Sequence, residues 1–173
     1  SLLAGGSLWL APRERSAFDP GPRFEDIAER AGCRDVHTPV VLSPQFKNIM
    51  PWLSSVGAAV AAGDVDGDGR IDFYVINSGR SSANRLFHNR GDGTFEDIAA
   101  ASGVACGNPA GACMHAIFGD VDNDGDLDLY VTKWGAPNQL FLNQGDGTFR
   151  DVTARAGVGY WGYGNAATFV DYD

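Results

Sequence analysis

The chain has 173 residues, of which 44% are hydrophobic and 20% charged, with 23 glycines and a formal net charge of −9. That composition suits a globular protein with a real core and many turns, while the negative balance argues against a phosphate-backbone partner, so no nucleic acid is expected. No stretch reaches the ~18 consecutive apolar residues of a membrane-spanning helix.

Residues 1–22 begin SLLAGGSLWLAP and continue through Arg13 and Arg15. They are expected to be the remnant of an export signal or anchor with a linker, the alternative being an apolar strand or loose end. Residues 23–32 (RFEDIAERAG) match two later segments, TFEDIAAASG and TFRDVTARAG, and read as the last strand of a preceding or closing unit. Residues 33–55, with Pro39, Pro44 and Pro51, form an insertion.

Two long segments then repeat almost word for word, residues 56–104 and residues 105–158. Each predicts four short strands: a small apolar one (VGAAVAAG or MHAIFG), one rich in β-branched and aromatic residues (IDFYVIN or LDLYVTK), then NRLFHN or NQLFLN, then TFEDIA or TFRDVT. The last two are joined by Asn-x-Gly-Asp-Gly-Thr, a hairpin signal because glycine accepts positive φ. A third copy opens within residues 159–173. Four strands per ~50 residues, with alanine crowding the first strand, predict an all-β chain of four-stranded antiparallel propeller blades.

The acidity is local. Of 22 acidic residues, 11 fall in residues 64–72, residues 120–128 and the pair Asp171 and Asp173. The pattern Asp-x-Asp-x-Asp-Gly-x-x-Asp appears twice, as Asp64, Asp66, Asp68 and Asp72 around Gly69, and as Asp120, Asp122, Asp124 and Asp128 around Gly125. Alternate carboxylates followed by a sharp glycine turn converge oxygens on one point, as a hard cation taking 6–8 oxygen ligands requires. Position 7, Arg70 in one loop and Asp126 in the other, is expected to offer its backbone carbonyl, which ignores side-chain identity. An EF-hand is excluded because position 12 is Val75 or Val131 rather than Glu, and the flanks are strand-like. Ca²⁺ is expected over Mg²⁺, which keeps several waters and avoids all-protein cages.

These residues resemble FG-GAP/VCBS repeats, and within that group the bacterial proteins similar to cartilage acidic protein, which often end in an ASPIC/UnbV domain. The resemblance covers residues 23–173 and implies an integrin-α-like propeller, often seven-bladed, on an exported protein with calcium in its Asp loops. It carries over residue by residue to the two loops above, with Asp171 and Asp173 as the first ligands of a third site.

Other features favour structural readings. Arg90-Gly91-Asp92 spells an integrin-recognition tripeptide but lies in the hairpin turn, where the next repeat has Gln144-Gly145-Asp146. His37, His88 and His115 are far apart in sequence; His88 is matched by Leu142 in the next repeat and reads as a strand or surface residue rather than a catalyst. Cys106 and Cys113 flank a Gly/Pro/Asn-rich loop that could carry a disulfide or two free thiols, with Cys33 left over. Tyr160, Trp161 and Tyr163 read as packing at a blade junction, with a sugar-binding patch as the alternative. The expected function is a non-catalytic, exported, calcium-binding module for adhesion or ligand binding. Its partner is expected to be a protein or carbohydrate held by the inter-blade loops. The alternatives are a propeller-based enzyme with catalytic groups outside these repeats, and a structural spacer of a cell-surface protein.

Overall fold

The computed structural model describes residues 24–40, 44–46, 48, 57–79, 81–106 and 111–170. The segment 1–22, part of the 33–55 insertion, and Asp171 and Asp173 lie outside the described residues.

Each repeat folds as an antiparallel meander. The first sheet runs β1 (Val60–Gly63), β2 (Asp72–Val75), β3 (Arg85–Asn89) and β4 (Phe95–Asp97), in spatial order β1-β2-β3-β4. The second runs β5 (Ala112–Gly119), β6 (Asp128–Pro137), β7 (Gln139–Asn143) and β8 (Phe149–Asp151), in order β5-β6-β7-β8. The chain is therefore all-β apart from short turns, as the repeated hairpin signals predict. In both sheets the acidic loop joins the first two strands, whose register closes on Gly63↔Asp72 and Gly119↔Asp128.

Two elements go beyond the four-strand expectation. One helical turn, α1 (Thr153–Ala156), follows β8 and ends on Gly157 in the left-handed region. A fifth strand, β9 (Trp161–Tyr163), returns to pair with the far end of β6 through Trp134↔Tyr163 and Pro137↔Trp161. Trp134 and Tyr163 meet edge-on at 5.9 Å, while Tyr160, Trp161 and Tyr163 all keep most of their surface exposed.

The core lies between the sheets. Tyr74, Ile76, Leu86 and Val104 from the first repeat pack in one buried cluster with Cys113, Ala116, Leu129, Val131 and Phe141 from the second. The small residues of the first strands let the units approach: a Cβ on Gly63 would lie 2.6 Å from Leu127 Cδ1, and one on Gly119 would collide with the Phe169 ring. Cys33, Cys106 and Cys113 are free thiols, so the structure holds the thiol form of the Cys106–Cys113 pair. Burial, with the neighbouring Cys113, pushes the Cys106 thiol up to about 11.

Polar groups inside each unit follow the same plan. Asn84 Nδ2 donates to the Tyr74 hydroxyl (2.8 Å), which donates to the Val104 carbonyl (2.6 Å). In the second repeat Asn138 Nδ2 donates to the Tyr130 hydroxyl and that to the Val158 carbonyl, each at 3.1 Å. The units are also stitched through their tails. The Phe95 amide donates to the Ala31 carbonyl (2.7 Å) and the Phe149 amide to the Ser102 carbonyl (3.0 Å). Gly32 (φ 74°) and Gly103 (φ 80°) follow those carbonyls, and a Cβ on either would press on the Phe95 or Phe149 oxygen at 2.9 or 3.2 Å.

Candidate metal centre

Loop geometry follows from a few backbone choices. Positive φ recurs at the fourth and sixth positions: Gly67 (73°) and Gly69 (82°) in the first loop, Asn123 (60°) and Gly125 (96°) in the second. Glycine and asparagine are the residues that tolerate this region, which explains why the Gly67/Asn123 exchange leaves the turn intact. The first aspartate then gathers the loop's amides. Asp64 accepts from the N–H groups of Asp68 (3.1 Å) and Gly69 (2.8 Å); Asp120 accepts from those of Asp124 (3.2 Å) and Gly125 (3.0 Å).

The last aspartate locks the loop to the sheet. Asp72 and Asp128 open the second strand of each unit and are almost fully buried. One carboxylate oxygen takes the amide at the loop's start, Val65 (3.1 Å) or Val121 (2.8 Å). The other takes the amide ending the third strand, Asn89 (2.7 Å) or Asn143 (2.9 Å). Those asparagines tie the loop to the adjoining hairpin: Asn89 Nδ2 donates to the Ile71 carbonyl and Asn143 Nδ2 to that of Leu127, both at 3.2 Å. Asn143 Nδ2 also reaches 2.7 Å to the Val65 carbonyl, so the second unit grips the first unit's acidic loop.

The result is two groups of converging oxygens. Carboxylate oxygens of Asp64, Asp66 and Asp72 lie within 4.8 Å of one another, as do those of Asp120, Asp122 and Asp128. These are positions 1, 3 and 9 of each loop. Two of these carboxyls are perturbed: burial raises the Asp66 carboxyl above its ordinary range, helped by the nearby Asp68 charge. Burial likewise raises Asp128, with Asp122 and Asp124 adding repulsion while hydrogen bonds from Val121 and Asn143 oppose it. Uncompensated carboxylates ~4 Å apart repel by about 4 kcal/mol per pair at an effective dielectric near 20. A donor set of this kind fits a divalent cation that neutralises it.

Position 5 behaves differently from the other acids. Asp68 is ion-paired with the Arg70 guanidinium, which also donates from Nε to the Asn89 carbonyl (2.8 Å). Asp124 Oδ1 accepts from the Asp126 amide (2.9 Å) and stands outside the close group of three. Position 7 thus separates the loops, with a cation beside the first cluster and a fifth carboxylate, Asp126, in the second. The first loop also gains His88 on β3: its Nδ1 lies 3.3 Å from both Asp66 Oδ2 and Asp72 Oδ1, and the imidazole forms a further group with Asp66 and Asp68.

Sequence reading did not find His88 or the anchoring asparagines. The asparagines carried a signal, since Asn89 and Asn143 occupy equivalent places before each Gly-Asp-Gly-Thr turn. His88 carried none, because its counterpart is Leu142. The sequence Arg90-Gly91-Asp92 is confirmed as turn chemistry: Asp92 Oδ1 accepts from the Thr94 amide (2.9 Å) and hydroxyl (2.6 Å), and Asp146 does the same with Thr148.

Comparison with known proteins agrees with this architecture. The FG-GAP-like repeat family matches residues 64–131 and 120–173. Among curated proteins, the chain is similar to cartilage acidic protein 1 of Xenopus tropicalis, at 28% identity over 128 residues, 68% of this chain and 19% of that protein. The Mus musculus protein of the same name is 33% identical over 112 residues, 59% of this chain and 17% of the relative. The Homo sapiens one is 32% identical over 112 residues, 59% and 16%. The chain therefore spans less than a fifth of the length of these relatives.

Proposed function

The chain belongs to the FG-GAP-like repeat family, and on that premise we propose that it is a calcium-binding β-propeller module of an exported protein. Ca²⁺ in the acidic loops stabilises the blades, and a protein or carbohydrate ligand is held by the loops between them. The role is binding rather than catalysis. The observation that carries the calcium reading is the duplicate geometry: two loops of different sequence bring the carboxylates of positions 1, 3 and 9 together and fix the last one by the same pair of amide donors. In the second loop Asp120, Asp122 and Asp128 would hold the ion, with Asp124 and the Asp126 carbonyl completing the shell; Asp64, Asp66, Asp68, Asp72 and the Arg70 carbonyl are their counterparts. Asp171 and Asp173 belong to the same scheme by sequence. All these donors are oxygens, which suits Ca²⁺ in a flexible cage. The relatives' name, cartilage acidic protein, fits an extracellular setting, and no helix among the described residues is long and apolar enough to cross a membrane.

Thermal unfolding of the purified chain in chelator, in millimolar Ca²⁺ and in millimolar Mg²⁺ tests the reading. A ligand at 100 times its Kd adds about 2.7 kcal/mol per site, a rise on the order of 5–10 °C for a chain of this size. A Ca²⁺-specific rise of that order is expected. A cooperative transition that ignores Ca²⁺ would sink the proposal.

A further inference from the structure

The tail of each unit turns through the same backbone hydrogen bond: the Ala31 amide donates to the Ile27 carbonyl (2.9 Å), Ser102 to Ile98 and Ala156 to Val152 (both 2.8 Å). Two side chains flanking this turn can therefore be compared across the copies. In the first tail they are Glu25 and Arg30, which form an ion pair at 3.0 Å. In the second they are Glu96, held by Arg90 at 2.7 Å, and Ala101. In the third they are Arg150 and Arg155, so the place of an ion pair carries two positive charges. Both arginines are exposed and line one cleft of about 760 Å³ with Pro137, Asp151, Thr153 and Gly159. Asp151 does not neutralise them, because its two oxygens take the Thr153 amide and Gln139 Nε2, each at 2.9 Å. Every other arginine among the described residues, namely Arg30, Arg34, Arg70, Arg85 and Arg90, is ion-paired; Arg150 and Arg155 are not. The joint between units leaves these positions open. With the Ala31 carbonyl docked on Phe95, the side chains of Glu25 and Arg30 remain 72% and 67% exposed.

We propose that this cleft binds an acidic carbohydrate, a uronate carboxylate bridging Arg150 and Arg155 while a sugar ring stacks on Trp161. The proposal rests on the reading of the chain as a binding module and names its ligand class; it does not depend on the calcium sites. Two neighbouring guanidiniums on a chain of net charge −9 repel each other and attract an anion, and their planar forks match a carboxylate. The aromatic partner comes from β9. Trp161 pairs in register with Pro137, a residue of the cleft wall, and Gly159 of the same wall leads into the strand. Trp161 is 67% exposed and, among the described residues, has no ring packed on it, whereas Tyr163 is braced edge-on against Trp134. Tyr160 lies over Gly162, where a Cβ would be 2.5 Å from its ring. A pyranose offers an apolar C–H face to the negative face of an indole and keeps its polar groups at the edge. An acidic peptide would satisfy the arginines but has no such ring face for Trp161.

The test is calorimetry of the full chain, at one fixed Ca²⁺ concentration, with three probes: a galacturonate hexamer, its methyl ester (the same rings without charge) and a glutamate hexapeptide. The galacturonate hexamer is expected to bind, more weakly as salt rises, and to bind at least about tenfold tighter than either of the other two. The double variant Arg150→Glu/Arg155→Ala carries the residues of the first repeat at both positions. It is expected to bind the hexamer about 10–100-fold more weakly with its thermal unfolding unchanged. Trp161→Ala is expected to lose about 3–10-fold. An absence of binding, an unchanged affinity in the double variant, or equal affinity for the methyl ester overturns the proposal. Equal affinity for the glutamate peptide makes the cleft a site for acidic peptides and overturns the carbohydrate assignment. Failure of the hexamer to bind a chain that Ca²⁺ stabilises removes this inference and keeps the calcium reading; hexamer binding to a chain that Ca²⁺ does not stabilise does the reverse.

Discussion

Asp66 and Asp128 are the acids on which burial and neighbouring charge press together, and their titration offers a direct check of the metal-free site. Both carboxyls are raised above the ordinary 3.8, whereas Thr94 and Thr148 hold Asp92 and Asp146 below it by hydrogen bonding. A raised native value means the unfolded chain is the stronger acid. These two groups therefore disfavour the fold at neutral pH, and that penalty is relieved as pH falls through their native values toward 3.8. Asp92 and Asp146 act in the opposite sense: their contribution is present above 3.8 and lost as pH falls through their lowered values. In chelator, carboxyl NMR is expected to give midpoints for Asp66 and Asp128 above those of Asp92 and Asp146, and Ca²⁺ should pull the first pair down. The reverse order would mean that the loop carboxylates do not crowd. At this scale the sequence was informative wherever both repeats agree. Where they differ it was not: the ion pair of the Arg70 side chain with Asp68 within the first loop, and the approach of His88 from β3, have no counterpart in the second repeat.

The repeated unit is a meander whose acidic loop is clamped by one asparagine from the end of the adjacent third strand. Asn89 serves its own unit, but Asn143 also takes the Val65 carbonyl of the preceding one. Removing a buried partner leaves the remaining groups unsatisfied, at about 1–3 kcal/mol. Asn143→Ala is therefore expected to lower the urea-unfolding free energy by roughly 2–3 kcal/mol, and Asn89→Ala by about 1 kcal/mol; equal losses would show that the bond between units adds nothing. The strands and turns of this unit were legible because apolar alternation, the Asn-x-Gly-Asp-Gly-Thr hairpins and the glycines at positive φ each occur twice. The α1 turn and β9 were not. One helical turn is too short to show a 3.6-residue period, and the pairing of β9 with β6 depends on a ten-residue strand outrunning its neighbour β7.

The core belongs to neither repeat alone, because its buried side chains come from both sheets. Leu129 is fully buried in the second unit, and Leu129→Ala is expected to cost about 2–5 kcal/mol. Hydrogen exchange should then accelerate in β1–β3 as well as in β5–β7; a loss of protection confined to the second sheet would mean that the units unfold separately. The fold class could be read from sequence through the four-strand repeat, but this sharing could not, since it depends on which faces meet. The joint between units has a further consequence. Phe24 to Phe95 spans 71 residues and Phe95 to Phe149 spans 54, yet the tail carbonyl of each unit finds the same amide in the next. Because both halves of this joint lie near the ends of their repeats, copying one whole repeat during gene duplication carries a donor and an acceptor together, and the new copy can dock on either neighbour. Segments of unequal length can accumulate between joints without altering them. Selection can therefore vary the exposed connections while the docking rule stays fixed, and the same joints give an engineer defined places to graft a foreign peptide.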